Sequence, residues 1–257
     1  MLDKLRDNTS FLHFSTREIV AWSKEYVQQL PPDYVPRFLD IGLGSARDLL
    51  SIRQALGNRP VELIGIESQP SLVEQARLHQ IETLSVNIET EAIPLANASL
   101  DVVIANHVAE HLKELFWFFG EISRLLKPGG IAMIGCPNLA SWHNRAALLF
   151  GQQPPAAKLL GAHVRGITMS GFRDFIEHSG YFKVVRSKGS NFYFFPVPLN
   201  RLLERMFPSL CASMHFQLRR TDKPGSFLKI LDEPIPGIGD TPYRRHAENT
   251  NVETVPQ

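Results

Sequence analysis

The chain's fold is most tightly constrained by fourteen residues, Arg37-Phe-Leu-Asp-Ile-Gly-Leu-Gly-Ser-Ala-Arg-Asp-Leu-Leu50. Phe38, Leu39 and Ile41 form an apolar run short enough for a buried strand, and Ala46, Leu49 and Leu50 place an apolar stripe on a helix that follows. Gly42 and Gly44 stand between them, where the backbone must bend sharply and admit a ligand. A strand passing through glycines into a helix is a ligand-binding turn of an α/β sheet, and Asp40 adds a negative charge at the strand's carboxyl end.

That charge narrows the ligand. A dinucleotide site requires G-x-G-x-x-G, whose third small residue lets helix pack on strand, but Arg47 holds that position here. An acidic residue two before the first glycine suits a ligand with a cationic amino-acid end. In Asp40-x-Gly42-x-Gly44 the chain resembles the class I S-adenosylmethionine-dependent methyltransferase family, in its small-molecule, type 11-like branch. Ser45 and Ala46 replace the additional glycine common in that motif, a change that leaves the turn feasible.

Further along, Val61 to Glu67 reads as a second strand, and Glu67 lies at its carboxyl end, where an acidic side chain accepts ribose hydroxyls in nucleotide-binding α/β folds. Ser68 opens the helix after it. Thr83 to Ile88 reads as a third strand. The resemblance implies Asn87 near the adenine amine and Ile88 against its ring, with Asn87 where many relatives carry Asp. Ile93-Pro-Leu95 through Ser99-Leu-Asp101 resembles another family segment and leads into the strand Val102 to Ala105. Leu115 to Leu126 reads as an apolar helix whose Phe116, Trp117, Phe118 and Phe119 belong to the core. Lys127-Pro-Gly-Gly130 punctuates it before a fifth strand, Ile131 to Gly135.

Between the fourth strand and that helix stands Asn106-His-Val-Ala-Glu-His-Leu112. Placement at the strand end gives Asn106 and His107 contact with cofactor or acceptor. His107 to His111 spells H-x-x-E-H, the inverted zincin motif. That motif needs a helix in a peptidase scaffold and a third ligand downstream, so no metal is expected. His111 reads as an interior structural histidine.

The segments after the fifth strand should build the acceptor side. Asn138, Trp142 and His143 combine hydrogen-bonding and aromatic side chains that a purely structural helix seldom needs. His163 and Arg165 resemble an H-x-R before a capped helix that borders the active-site mouth in relatives, and Thr168 or Ser170 supplies the cap. His107, His143 and His163 are the candidate general bases. Leu199, Leu202, Leu203, Met206 and Phe207 recur at i, i+3, i+4, i+7 and i+8, an amphipathic helix whose apolar face packs on its own sheet or, alternatively, serves a dimer or peripheral membrane contact.

At the amino end, Ser15-Thr-Arg-Glu18 has the form of a capping box for a helix from Thr16 to Leu30. Covering the sheet edge and closing over the cofactor both remain open as its role. The organisation expected is a helical cover over residues 1–36, a methyltransferase domain over 37–220 and a disordered tail over 221–257. The resemblance implies a Rossmann-like, doubly wound sheet of seven strands, mostly parallel with the last antiparallel.

Composition sets the remaining bounds. With 44% hydrophobic residues, 21% charged and a net charge of +1, the chain is neither a disordered nor a nucleic-acid-coating type, and no nucleic-acid partner is expected. Cys136 and Cys211 have neither metal-type spacing nor a disulfide framework, which fits a reducing, cytoplasmic setting, and no run approaches the ~20 apolar residues of a membrane span. The expected activity is methyl transfer from S-adenosylmethionine, bound by Asp40, Gly42, Gly44, Glu67, Ser68, Asn87, Ile88 and Asn106, to a small-molecule, lipid or glycan-type acceptor near Asn138, Trp142 and Arg165. The alternatives are a nucleotide-dependent oxidoreductase, disfavoured by Arg47, and a non-catalytic binding module, disfavoured by the retained acidic residues.

Overall fold

The computed structural model describes residues 9–193 and 195–232. Seven strands form one sheet: β1 (Arg37–Ile41), β2 (Glu62–Ile66), β3 (Glu82–Leu84), β4 (Leu100–Asn106), β5 (Leu126–Pro137), β6 (Phe182–Ser190) and β7 (Ser213–Arg220). Their order is β3-β2-β1-β4-β5-β7-β6, parallel except where β7 runs antiparallel between β5 and β6. The chain order reverses at β1, which pairs with both β2 and β4. In an open α/β sheet the crevice for ligands lies there, beyond the carboxyl ends of the strands.

The central strands β1, β2, β4 and β5 are buried on both sides because helices cover both faces. Phe38, Val102, Ile104, Ile131 and Met133 point into a core shared with α1 (Thr9–Val27) and α2 (Arg47–Leu56), through Ile19, Trp22, Leu49 and Ile52. Their alternate neighbours Leu39, Ile41, Val103 and Ala105 face the second core, built on α4 (Leu115–Leu125). Within it Phe119 is fully buried, its ring 5.7 to 6.4 Å from those of Phe172, Phe175, Phe182 and Phe227. The remaining helices are α3 (Pro70–Leu78), α5 (Trp142–Leu149), α6 (Met169–Glu177) and α7 (Val197–Met206).

Four sequence expectations are corrected here. The Ser15-to-Glu18 pattern is not a capping box, because α1 already begins at Thr9. Instead Ser15 is buried, and Glu18 pairs with Arg17 at 3.1 Å and with Lys188 on β6 at 2.5 Å. The Lys127–Gly130 punctuation does not separate helix from strand; it is drawn into β5 as a bulge, with Leu100 opposite Leu126 and Val102 opposite Ile131.

The disordered tail expected from Thr221 is packed as far as Asp232. Phe227, Ile230 and Leu231 are buried, the Phe227 amide donates to Ser123 Oγ at 2.8 Å, and Arg220 donates to the carbonyls of Ser123, Lys223 and Gly225. Residues 233–257 lie outside the described residues.

Finally, α7 does not lay its apolar face on the sheet. Its polar residues hold it: Asn200 Oδ1 accepts the Phe192 amide at 2.9 Å and Glu204 Oε1 accepts the Asn191 amide at 2.6 Å. These two side chains, one turn apart, commit the polar face inward, so Leu199, Leu202, Met206 and Phe207 are exposed and Leu203 half-buried.

Candidate active site

The glycine turn follows directly from β1. The Gly42 and Leu43 amides both donate to the Ile66 carbonyl, at 3.0 and 2.9 Å, which closes the turn against β2. Gly42 and Gly44 have φ of +75° and +54°, a region costly for other residues. A Cβ at Gly42 would stand 2.8 Å from Val108 Cγ2. Ala46 also takes φ +57° at the start of α2, so the site of the missing glycine is occupied by a left-handed alanine.

Three carboxylates surround this turn. Glu67 accepts the Gly44 amide through Oε2 at 2.9 Å and the Ser68 and Gln69 amides through Oε1 at 2.8 and 2.9 Å. Asp40 is 3% exposed, and burial, then the nearby Asp48 and Glu67 charges, push its carboxyl well above the usual range. Asp48, on the first turn of α2, accepts from Thr16 Oγ1 and from Asn106 Nδ2 at 3.0 Å. Burial raises its pKa too, against the lowering effect of those two bonds. Asn106 Oδ1 is buried with no hydrogen-bond partner.

Beyond the turn a cavity of about 560 Å³ is lined by Gly42, Glu67, Ser68, Val86, Asn87 and Ile88. Five of the residues expected at the cofactor therefore share one space, with Asp40, Gly44 and Asn106 around the turn beside it. Asn87 Oδ1 accepts the Glu89 amide at 3.1 Å, which ties that oxygen to its own loop.

A second cavity, about 430 Å³, lies on the other side of residues 106–112 and is lined by His107, Glu110, His111, His143, His163 and Tyr193 among others. The three candidate bases thus share one space although 56 residues separate the first from the last in sequence. His107 has φ +59°, held by its amide on the Gly135 carbonyl at 2.8 Å and by Nδ1 against Glu110 Oε1 at 3.1 Å. Its Nε2 and Glu110 Oε2 are buried without a hydrogen-bond partner. His143 packs edge-on to Tyr193 at 4.7 Å, and burial lowers its pKa from 6.5. It follows Ser141 and Trp142 at the start of α5, which puts it at the cavity wall.

Two expected acceptor residues serve structure instead. Asn138 is fully buried; Nδ2 donates to the Ser209 and Cys211 carbonyls at 2.8 and 2.9 Å, and Oδ1 accepts the Ala140 amide at 3.0 Å. Arg165 donates from Nε to the Leu112 carbonyl at 3.1 Å and from Nη2 to that of Lys113, and so clamps the 162–168 segment in place. Trp142 stands beside the cavity, its ring 6.1 Å from His143 and 6.0 Å from Phe195. The side chain of Thr168, one of the two proposed caps, does cap α6, accepting the Gly171 amide at 3.2 Å.

Sequence reasoning missed Asp48, Glu110, Tyr193 and His215. His215 is buried on β7, with Nε2 2.8 Å from Ser190 Oγ, and burial, with the nearby His107 and Lys188 charges, pushes its pKa down to about 3. A signal for Asp48 was present: an acidic residue in the first turn of the helix after the glycine turn, where the helix dipole favours it. Glu110 is marked by its place in the H-x-x-E-H pattern, whereas nothing local marks Tyr193 and His215.

Residues 39–134 match the family model described as methyltransferase domain. The match takes in a little over a third of the chain, from β1 into β5. Among the curated relatives, a ubiquinone biosynthesis O-methyltransferase of Cereibacter sphaeroides is 30% identical over 136 residues, which is 51% of this chain and 53% of that protein. An uncharacterized protein of Streptomyces fradiae is 31% identical over 103 residues, 39% of this chain and 30% of that one. The chain therefore spans about a third to a half of the length of the curated relatives it matches. Among solved structures, a SAM dependent methyltransferase from Archaeoglobus fulgidus superposes with a TM-score of 0.52 at 15% identity, over 80% of this chain and 94% of that one. The cyclase SpnF superposes with a TM-score of 0.55 at 14% identity, over 79% and 81%. The fold is that of the class I S-adenosylmethionine-dependent methyltransferases, and a cyclase among its neighbours means that the fold alone does not fix the reaction.

Proposed function

We propose that the chain binds S-adenosylmethionine in the cavity beside the glycine turn and methylates a hydroxyl-bearing small molecule in the histidine-lined cavity. The observation that carries this reading is the ring of Asp40, Asp48 and Glu67. Two buried carboxylates with raised pKa values and a third beside them form a site whose charges repel until a cation arrives. The cofactor has the matching chemistry, with an ammonium, a sulfonium and ribose hydroxyls. Glu67 would accept the ribose hydroxyls, Asp40 and Asp48 would face the cationic end, and Asn87 and Ile88 would border the base. Gly42, where a side chain would collide with Val108, leaves the backbone open to close approach.

When bound, the cofactor supplies a methyl group already activated on sulfur. The protein's share is positioning, an advantage that can reach ~7 to 11 kcal/mol, and removal of the acceptor's proton. His143 is the group assigned to take that proton. It lines the acceptor cavity, and its depressed pKa keeps it unprotonated at neutral pH. Calorimetric binding of S-adenosylmethionine tests the reading, and no binding of it with binding of NAD instead would overturn it.

The acceptor we propose has an apolar body and is drawn from a membrane surface. Leu148, Leu149 and Phe150 at the end of α5, Leu159 and Leu160 beyond it, and the outward face of α7 are exposed, and Arg201 and Arg205 stand exposed on the same helix as the apolar residues. Exposed apolar side chains flanked by cations fit an anionic lipid surface. Among the described residues no helix is long and apolar enough to cross a membrane, so the contact would be peripheral. The name of the Cereibacter relative, an O-methyltransferase of ubiquinone biosynthesis, is compatible with oxygen as the methylated atom.

A further inference from the structure

We propose that Glu110, His111 and His163 form a divalent-metal site of the zinc class, open to the acceptor cavity. The pair of imidazoles in the H-x-x-E-H pattern is not what the structure brings together: residues 109–111 form a single 3-10 turn, and His107 turns its Nδ1 to Glu110. The third ligand comes from 52 residues further along the chain. One ligand atom each from Glu110, His111 and His163 lie within 4.8 Å of one another. A tetrahedral zinc with bonds of ~2.0 to 2.1 Å holds its ligand atoms about 3.3 Å apart, a closure of about 1 Å or somewhat more for the widest pair.

Four features beyond proximity point to a cation. Glu110 is 1% exposed, and although its Oε1 meets His107 Nδ1, its Oε2 has no hydrogen-bond partner; a buried carboxylate oxygen is rarely left so. His111 Nδ1 donates to the Ala162 carbonyl at 3.0 Å, which places the neutral ring's lone pair on Nε2, the atom 3.9 Å from Glu110 Oε1. Metal-binding histidines are commonly oriented by such a backbone carbonyl. His163 is brought there by a built segment: the Val164 and Arg165 amides both donate to the Glu110 carbonyl, and its ring meets that of His111 edge-on at 5.0 Å. His107, on Glu110 Oε1, takes the place of an outer partner to the carboxylate.

The donor set decides the metal. Two imidazoles with one carboxylate suit zinc, whereas calcium and magnesium take oxygen ligands. Three protein ligands leave a fourth position, as in catalytic zinc sites, and all three residues line the cavity assigned to the acceptor. A hydroxyl oxygen of the acceptor in that position would lose its proton more readily. This last role rests on the methyl-transfer reading; binding of the metal does not.

The test uses full-length, tag-free protein stripped with a chelator and titrated with Zn²⁺ against a chromophoric competitor, then with Co²⁺ followed by its visible absorption. One equivalent should bind, and the Co²⁺ complex should absorb as a four- or five-coordinate species. His163→Ala, on a surface segment, should weaken Zn²⁺ binding by at least about tenfold, as should His111→Ala, while His79→Ala on α3's exposed end leaves it unchanged. Circular dichroism and S-adenosylmethionine binding, measured on the same samples, report folding and the cofactor reading separately. No stoichiometric Zn²⁺ in folded protein, or undiminished binding by His163→Ala, would overturn the site, with or without cofactor binding.

Discussion

The Glu67 carboxylate accepts the Gly44 amide at 2.9 Å, so the same side chain that faces the first cavity also fixes the shape of the glycine turn. Removing it should both delete a cofactor contact and loosen the turn. Glu67→Ala is expected to weaken S-adenosylmethionine by ~1.5 to 3 kcal/mol, roughly tenfold to more than a hundredfold. Titration calorimetry decides the matter. Unchanged affinity would show that the ribose is held elsewhere.

The role proposed for His143 separates chemistry from cofactor binding. As the proton acceptor it must be unprotonated, and burial lowers its pKa from 6.5. The acid limb of kcat should therefore fall below pH 6.5, with a plateau through neutrality. His143→Ala should lower kcat by about 10²-fold or more while S-adenosylmethionine affinity stays within error. A rate that is unaffected, or a cofactor affinity that collapses, would place the base elsewhere.

The exposed face of α7 gives a third expectation. Full-length protein should co-sediment with vesicles containing anionic phosphatidylserine and less so with neutral vesicles. Replacing Leu202 and Met206 with Ser should reduce that binding without changing thermal stability, because both side chains are more than half exposed. Equal binding by the variant, or a dimer that the variant abolishes, would assign the face to another use.

His215 makes a prediction about stability. Its folded pKa is pushed down to about 3 from 6.5, so between those values the unfolded chain takes up a proton that the folded chain does not. Stability must fall as pH drops below 6.5, by about 2 kcal/mol from pH 7 to pH 5 for this one group. Urea denaturation at the two pH values should show that difference narrowing in His215→Gln. The same slope in variant and parent would mean that other groups dominate the acid sensitivity.

Much of this architecture is legible in the sequence because it is local. Phe38, Leu39 and Ile41 announce a strand covered on both sides, and Gly42 and Gly44 announce the turn, since each signal is a property of a few adjacent residues. What was not legible depends on partners far along the chain. Asn138 has the composition of a binding residue, but its partners at Ser209 and Cys211 arrive 71 and 73 residues later. The apolar periodicity of α7 was correctly read as a helix, yet which face turns inward is decided by two amides, of Asn191 and Phe192, that need acceptors. The acidic end of the Ser15-to-Glu18 pattern is similarly claimed by Lys188, on the opposite edge strand.

The seven residues from Asn106 to Leu112 form a party wall. Val108 stands against Gly42, Asn106 donates to Asp48 on the first turn of α2, Leu112 faces the first cavity, and His107, Glu110 and His111 face the second. A substitution in that wall is felt in both rooms, so on the proposed assignment acceptor preference cannot be retuned there without disturbing the cofactor side. The freedom to change substrates lies on the far walls, in α5, in the 155–163 segment and around Tyr193. Relatives with the same glycine turn and different acceptors should diverge most at those positions.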